Sequence, residues 1–357
     1  MELERIREPL LSWFDRNARI LPWRENPDAY RVWISEIMLQ QTRVEAVRPF
    51  YERFLKALPD VFALAACPQE QLLKLWEGLG YYNRARNLQA AAKILAEEYN
   101  GVFPRDYEKI LALPGIGPYT AGAVASIACG IPVPAVDGNV LRVIARVTAD
   151  EGDVLKASVK RRVEEEVRKI LPKDRPGDFN QALMELGAIV CVPNGPAKCG
   201  ECPLGNLCLG RMRGLTSRLP VKASKKPRKV QERTVFVISD GQRAAIHKRP
   251  EKGLLAGLYE LPNLLGRLDR GQALEKVESW GLKALSIQPL PEAKHIFSHV
   301  EWHMTGYAVL IDVQREKIKE DFLFVEPERT EREYPVPAAF AAYMEYLNVR
   351  LGQERFR

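Results

Sequence analysis

Glu36 and Asp137 are the two carboxyls whose neighbours set them apart from solvated surface acids. Glu36 stands among Val32, Trp33, Ile34, Ile37, Met38 and Leu39. An acid in that company either rides the solvated edge of an amphipathic helix or is partly desolvated, and desolvation raises its pKa and makes it a general acid. Asp137 follows the Pro- and Gly-rich stretch Gly130–Pro134 and precedes a helical run from Val140 to Val147. The plain role of an Asp there is an N-cap, and a helix N-terminus favours the anion. A carboxyl that keeps its proton beside one that stays ionised suits cleavage of a glycosidic bond. The first protonates the leaving group and the second stabilises an oxocarbenium-like sugar.

Cysteine chemistry is concentrated in Cys191-x7-Cys199-x2-Cys202-x5-Cys208, whereas Cys67 and Cys129 sit in helical context and read as small buried residues. Four thiols within eighteen residues, in a chain without an export signal, point to a metal centre over disulfides. Zinc sites favour two short knuckles, and only Cys199-x2-Cys202 has that form. His295, His299 and His303 recur at the spacing of a zinc-binding helix, a second metal reading to weigh.

The elements that must hold the acids read as helical. Amphipathic periods cover residues 2–17, broken by Leu21–Arg24, then 28–58, then 69–99 with an interruption at Glu77–Tyr82, then 154–171 and 178–190. No convincing strand precedes residue 230, so the first domain is expected to be all-α. Just before Asp137 stands Leu113-Pro-Gly-Ile-Gly-Pro-Tyr-Thr-Ala-Gly122. Gly115 and Gly117 are expected to take backbone angles closed to residues with a Cβ, and the small-residue run Thr120–Cys129 to form a closely packed helix. A tight turn feeding a helix N-terminus offers free N–H groups to a phosphate.

Beyond Arg233 the texture changes. Thr234–His247 is two apolar runs about an Asp240-Gly241 turn, a hairpin signal; a helix from Gly271 to Trp280 and a strand from Tyr307 to Val313 follow, giving an α+β unit. The chain carries +7 net charge, and the excess is local. Residues 211–233 hold nine Lys/Arg against the single acid Glu232, while residues 1–210 hold 27 of each sign. The expected organisation is a helical domain 1–210 with its cysteine loop at 191–208, a basic connector 211–232 and an α+β domain 233–357. The connector, through residues such as Lys225, Lys226, Arg228 and Lys229, is expected to add unspecific phosphate attraction. No N-terminal apolar leader is present, and no apolar segment reaches the roughly twenty residues of a membrane span. The expectation is a monomeric, soluble, cytoplasmic protein, nucleoid-associated in a bacterium. Residues 352–357 read as a frayed tail.

Hairpin, small-residue helix, Pro-rich loop and Asp, all within thirty residues, resemble the helix-hairpin-helix, Gly/Pro-rich loop and Asp signature of the endonuclease III superfamily of DNA glycosylases. The uneven cysteine spacing then looks like the [4Fe-4S] loop of that superfamily, ligated by four thiolates. Seven residues separate Cys191 from Cys199, one more than the family's usual interval, which lengthens the loop without preventing ligation and leaves a DNA contact by Lys198 open. The C-terminal unit resembles a Nudix-type fold as it occurs in the MutY family. The helix Ala273–Gly281 lacks the Arg and paired acids of a Mg²⁺-binding Nudix box, so the domain is expected to read DNA. Ile296-Phe-Ser-His-Val300 matches the Phe-Ser-His loop by which that family recognises 8-oxoguanine, which displaces the zinc reading of the histidines.

The resemblance spans nearly the whole chain. It implies removal of adenine opposite 8-oxoguanine or guanine in double-stranded DNA, with Glu36 as acid and Asp137 as anion, both supported by Tyr119 and Asn139. Arg24 and Gln181 would line the adenine pocket, and Gln41, Leu79 and Tyr81 would fill or wedge the base stack. Phe297, Ser298 and His299 would read the damaged partner. Relatives that also cut the strand carry a Schiff-base lysine where this chain has Tyr119, which has no amine, so base removal without strand cleavage is expected. Two rivals remain: an endonuclease III-type pyrimidine glycosylase and lyase, and a zinc-stabilised DNA-binding protein in which Glu36 is a surface residue and Asp137 a cap.

Overall fold

The computed structural model describes residues 2–223, 227–312 and 320–352. The chain divides into two compact units, Met1–Ala66 with Asn87–Lys225, and Cys67–Arg86 with Lys226–Arg357. Helices follow one another as α1 (Arg7–Asn17), α2 (Pro22–Glu25), α3 (Ala29–Leu39), α4 (Val44–Ala57), α5 (Val61–Ala66), α6 (Gln69–Leu75) and α7 (Asn83–Glu98). Then come α8 (Tyr107–Leu111), α9 (Pro118–Ala123), α10 (Gly138–Thr148), α11 (Ala157–Ile170), α12 (Pro176–Ile189) and α13 (Leu209–Met212). Among the described residues, none before Lys229 is in a strand, and no helix is long and apolar enough to cross a membrane.

In the first unit α3 is apolar on nearly every face and is buried at Tyr30 and from Val32 through Met38, as a helix without a broad polar stripe must be. Asp28 caps its start by accepting from the Arg31 N–H. The long helical run expected over 28–58 is broken at Gln40–Arg43, where Gln41 takes φ +60°. A second core gathers α1, α10, α11 and α12 around Leu10, Ile144, Val163 and Phe179, and Leu204 and Cys208 pack into it.

The hairpin is α8, the turn 112–117 and α9. Gly115 has φ +74°, and a Cβ there would stand 2.5 Å from the Asn87 Cβ. Gly117 departs from expectation: at φ −96° it is extended backbone open to any residue, and it caps α9. The small-residue run also differs, since after Ala123 it loosens into a π-helical turn, Val124–Ala128. Its close packing is real, however, because a Cβ on Gly122 would lie 2.1 Å from the Pro134 carbonyl oxygen.

The second unit holds β1 (Lys229–Ser239), β2 (Ala244–Lys248), β3 (Tyr259–Glu260), β4 (Asn263–Leu265), α14 (Arg270–Ser279), β5 (Lys283–Ile296) and β6 (Val300–Asp312). β7 (Leu323–Val325), α15 (Pro327–Glu333) and α16 (Ala341–Met344) complete it. The sheet runs β3-β2-β1-β6-β5, with β1 parallel to β6 from Lys229↔Val300 to Ser239↔Leu310. Alternation sorts its side chains: Val235, Val237, Trp302 and Met304 face a core shared with Phe340 and Tyr343, while Phe236, Ile238, Val309 and Ile311 face α14. The expected hairpin forms, closed by the Arg243 and Gln242 N–H groups on Asp240 Oδ1.

Two expectations need correction, and the zinc helix already set aside does not form: His295 and His303 lie on the paired strands β5 and β6, and His299 is in the turn between them. The basic stretch is not a free connector throughout, because Arg146 holds the Leu219 carbonyl, Val154 bonds the Val221 carbonyl, and Lys229 and Arg233 belong to β1. Residues 67–86 group with the C-terminal unit. Lys225, Lys226, Val313 and residues 353–357 lie outside the described residues.

Candidate active site

Glu36, in the last turns of α3, is 7 % exposed and faces an open cavity of about 910 Å³ in the first unit. Asp137, Tyr119, Asn139, Arg24, Gln181 and Gln41 line the same cavity. Glu36 and Asp137 are separated by 101 positions of chain, yet their charges act on one another. Burial is the main cause that raises the Glu36 pKa, and with Asp137 adding to it and the Tyr119 hydroxyl hydrogen bond and Arg24 opposing, the value comes to about 7. The carboxyl is thus half-protonated near neutral pH, as a general acid requires.

Asp137 caps α10, its Oδ1 accepting from the Asn139 and Val140 N–H groups at 2.9 and 2.8 Å and its Oδ2 from the Asn139 amide at 2.6 Å. The expectation that its environment lowers its pKa is overturned in direction. Burial outweighs the three hydrogen bonds and the Arg142 charge, so the Asp137 pKa also rises. The two acids still differ by the donors around them, since Glu36 receives one hydroxyl where Asp137 receives three N–H groups. Asn139 is itself held by Arg142, whose guanidinium also binds the Gly187 and Cys191 carbonyls. Gly187 admits this approach because a Cβ there would be 2.6 Å from that of Asn139.

Arg24 is fixed by the Gln181 side-chain oxygen at 3.1 Å and by Glu185 at 2.9 Å. Glu185 is buried, which pushes its pKa up, but hydrogen bonds from Arg19 and Arg24 outweigh that and hold it below the usual range. With its oxygen engaged, Gln181 offers its NH₂ as a donor. Sequence reasoning missed Glu185, and also Asn180, which accepts from the Ala135 N–H and donates to Ser126 and the Val133 carbonyl, fixing the loop ahead of Asp137. The only sequence signal for either was a polar side chain on the apolar helix α12.

Cys191, Cys199, Cys202 and Cys208 all line one cavity of the first unit. Among the described residues no three Cys, His, Asp or Glu side chains converge closely enough to hold a metal ion. Arg146 donates to the Cys191 sulfur at 3.3 Å and to the Val192 carbonyl at 3.0 Å. Arg142 and Arg146 therefore stitch the cysteine loop to the helix that Asp137 begins.

The remaining expected residues lie in the second unit. Leu79 is buried, whereas Tyr81 is 47 % exposed at φ +48°. Arg84 ties their loop by donating to the Leu79 and Gly80 carbonyls at 2.9 and 3.1 Å. Ser298 and His299 are the exposed tip of the β5–β6 hairpin, closed by the Phe297 N–H on the Val300 carbonyl at 2.9 Å. Phe297 packs edge-on to Trp302 with centroids 4.8 Å apart, so it anchors the tip on the core.

A helical unit with a hairpin, a buried acid and a capping Asp on one cavity defines a DNA glycosylase of the helix-hairpin-helix class. Residues 34–173 match the family described as HhH-GPD superfamily base excision DNA repair protein, and residues 234–346 match the NUDIX domain. Human adenine DNA glycosylase is 35 % identical over 373 residues, covering 88 % of this chain and 68 % of the relative. The mouse enzyme is 37 % identical (86 % and 71 %), and that of Buchnera aphidicola subsp. Baizongia pistaciae 33 % (85 % and 86 %). Among solved structures, a thermostable thymine-DNA glycosylase superposes with TM-score 0.52 at 29 % identity, covering 59 % of this chain and 97 % of that one. A trapped endonuclease III–DNA covalent intermediate gives 0.51 at 29 %, covering 60 % and 100 %. The chain belongs to the adenine DNA glycosylase family.

Proposed function

We propose that this chain removes adenine mispaired with 8-oxoguanine or guanine from duplex DNA, without cutting the strand. The observation that carries the reading is the convergence of Glu36 and Asp137 on one cavity, one carboxyl with a single hydroxyl donor and the other with three N–H donors. Adenine leaves the stack, at a few kcal/mol, and enters beside Arg24 and Gln181. Protonated Glu36 donates to adenine N7 as the N-glycosidic bond breaks, so the departing base is neutral. Asp137 stabilises the developing oxocarbenium ion, its charge kept in place by Asn139 and the α10 amides. Glu36, now ionised and accepting from Tyr119, takes a proton from the incoming water. Tyr119 has no amine to form an imine, which supports base removal alone.

Four thiols lining one cavity, with the Arg146 guanidinium donating to the Cys191 sulfur, are the donor set of an iron–sulfur cluster, and Cys191, Cys199, Cys202 and Cys208 would hold a [4Fe-4S] group. Bound there, the cluster supplies a structural staple. Arg142 and Arg146, which join the cysteine loop to α10, would pass that restraint on to the Asp137 turn. Ser298 and His299 would meet the oxidised base, and Tyr81 the stack. We place the protein in the cytoplasm as a monomer on duplex DNA.

Incubation with duplexes holding A opposite 8-oxoguanine, A opposite G, or an oxidised pyrimidine, followed by alkali, tests this in one gel. Alkali-dependent breaks at the adenine strand of the first two are expected. Breaks without alkali, an imine trapped by borohydride, or cutting of the third duplex alone would overturn the reading.

A further inference from the structure

The second unit contains a cavity that base removal does not use. It lies where the parallel strands β1 and β6 begin, with Lys229 opposite Val300 and its N–H 3.4 Å from the His299 carbonyl. About 270 Å³ in volume, it is lined by Lys229, Arg233 and Arg249, with Gln231, Trp302 and His299 beside them. None of its described lining residues is acidic.

Its groups are donors set for an acceptor. Arg233 stands over the Trp302 ring, its guanidinium carbon 4.2 Å from the centroid, and bonds the Asn263 side-chain oxygen, yet its Nε is buried without a partner. Burial pushes the Arg233 pKa down although Glu260 lies near. A guanidinium has five N–H donors and no acceptor, and a half-buried one with a donor out of water and unmatched carries a free-energy cost that an anion would reduce. Arg249 is held rigid by the Leu254 carbonyl at 3.0 Å and by Glu260. Trp302 donates to Gln231 Oε1 at 3.1 Å, which leaves the Gln231 NH₂ as a further donor. Two guanidinium groups, an ammonium and an amide around one space match the several acceptor oxygens of a phosphate.

We propose that this cavity is a phosphate-binding site, occupied by a phosphodiester of the strand that the Phe297–Val300 turn reads. The proposal rests on the reading of that turn given above. It makes Arg233 and Lys229 the anchor that sets the hairpin tip against the backbone next to the inspected base.

The test uses the full chain with Arg233→Gln and, separately, Lys229→Gln, whose exposed side chain carries no part of the core. Binding to a damaged and an undamaged duplex is measured over a range of salt. Each variant should lose affinity for both duplexes alike, and the slope of log K against log salt should fall by about one, with discrimination between duplexes retained. Melting is followed in parallel with inorganic phosphate or deoxyguanosine monophosphate. A shift present in the parent chain and absent in Arg233→Gln, with an unchanged salt slope, places a free phosphate group in the site. Neither response in either variant overturns the site. A parent chain that does not discriminate the two duplexes sinks the reading of the turn, which the salt slope does not measure.

Discussion

Glu36 is held where its ionised form is disfavoured, and that has a cost in stability. A rise from 4.5 to about 7 corresponds to about 3 kcal/mol at 1.36 per unit. Below the unfolded value both states keep the proton and nothing is lost. As pH climbs from about 4.5 to about 7 the unfolded chain gives up its proton first, so stability falls across that window and stays level above it. Glu36→Gln should therefore abolish excision and yet melt higher than the parent at pH 8, by up to about 3 kcal/mol, with no advantage at pH 4; urea titrations at both values decide it. Excision itself should decline as pH rises through about 7, where the acid is lost. Asn139→Ala removes the 2.6 Å donor from Asp137, so the carboxylate should protonate more readily and the acid limb of the pH–rate profile should move upward. An unmoved limb would show that Asn139 does not hold the anion.

At the scale of elements, α6 and its following loop depend on the C-terminal unit. Lys74 pairs with Glu77 at 2.9 Å, and the two side chains are 9 % and 2 % exposed. Lys74 also donates to the Tyr334 carbonyl at 2.8 Å, and Glu77 accepts from the Val336 N–H at 2.9 Å. Directly after Glu77 come Gly78, Gly80 and Tyr81, all at positive φ, a loop whose shape is held by its ends. Breaking a buried pair from one side costs about 3 kcal/mol because the other charge stays buried. Glu77→Gln should lower stability by that order and weaken binding to duplex DNA. Full duplex affinity in a destabilised variant would separate the loop from DNA contact.

For the whole molecule, the two compact units are not two consecutive stretches of chain. Because residues 67–86 group with the second unit, deleting residues 227–357 should strip the partners of Glu70, Lys74 and Glu77. Amide exchange over residues 70–82 should then accelerate, while that of α10 and α12 should not. Equal protection of residues 70–82 in both forms would contradict the grouping.

Much of this protein was legible before folding was considered. The glycines and small residues around 113–139, the Asp at a helix start, the clustered thiols and the Asp240-Gly241 turn are local signals, since each depends on backbone angles or spacing within a few residues. The surroundings of those groups were not legible. Gly117 needed no special conformation, His295 and His303 fell on two strands with His299 in the turn between, and the Asp137 pKa rose instead of falling, because pairing and burial are set by segments distant in the chain. Glu185, Asn180, Arg142 and Arg146 looked like ordinary helix residues until α12, α10 and the cysteine loop met. Residue type and spacing determined which chemistry was available. Desolvation and hydrogen-bond partners, which exist only once remote segments pack, decided how each acid is tuned and which unit holds residues 67–86.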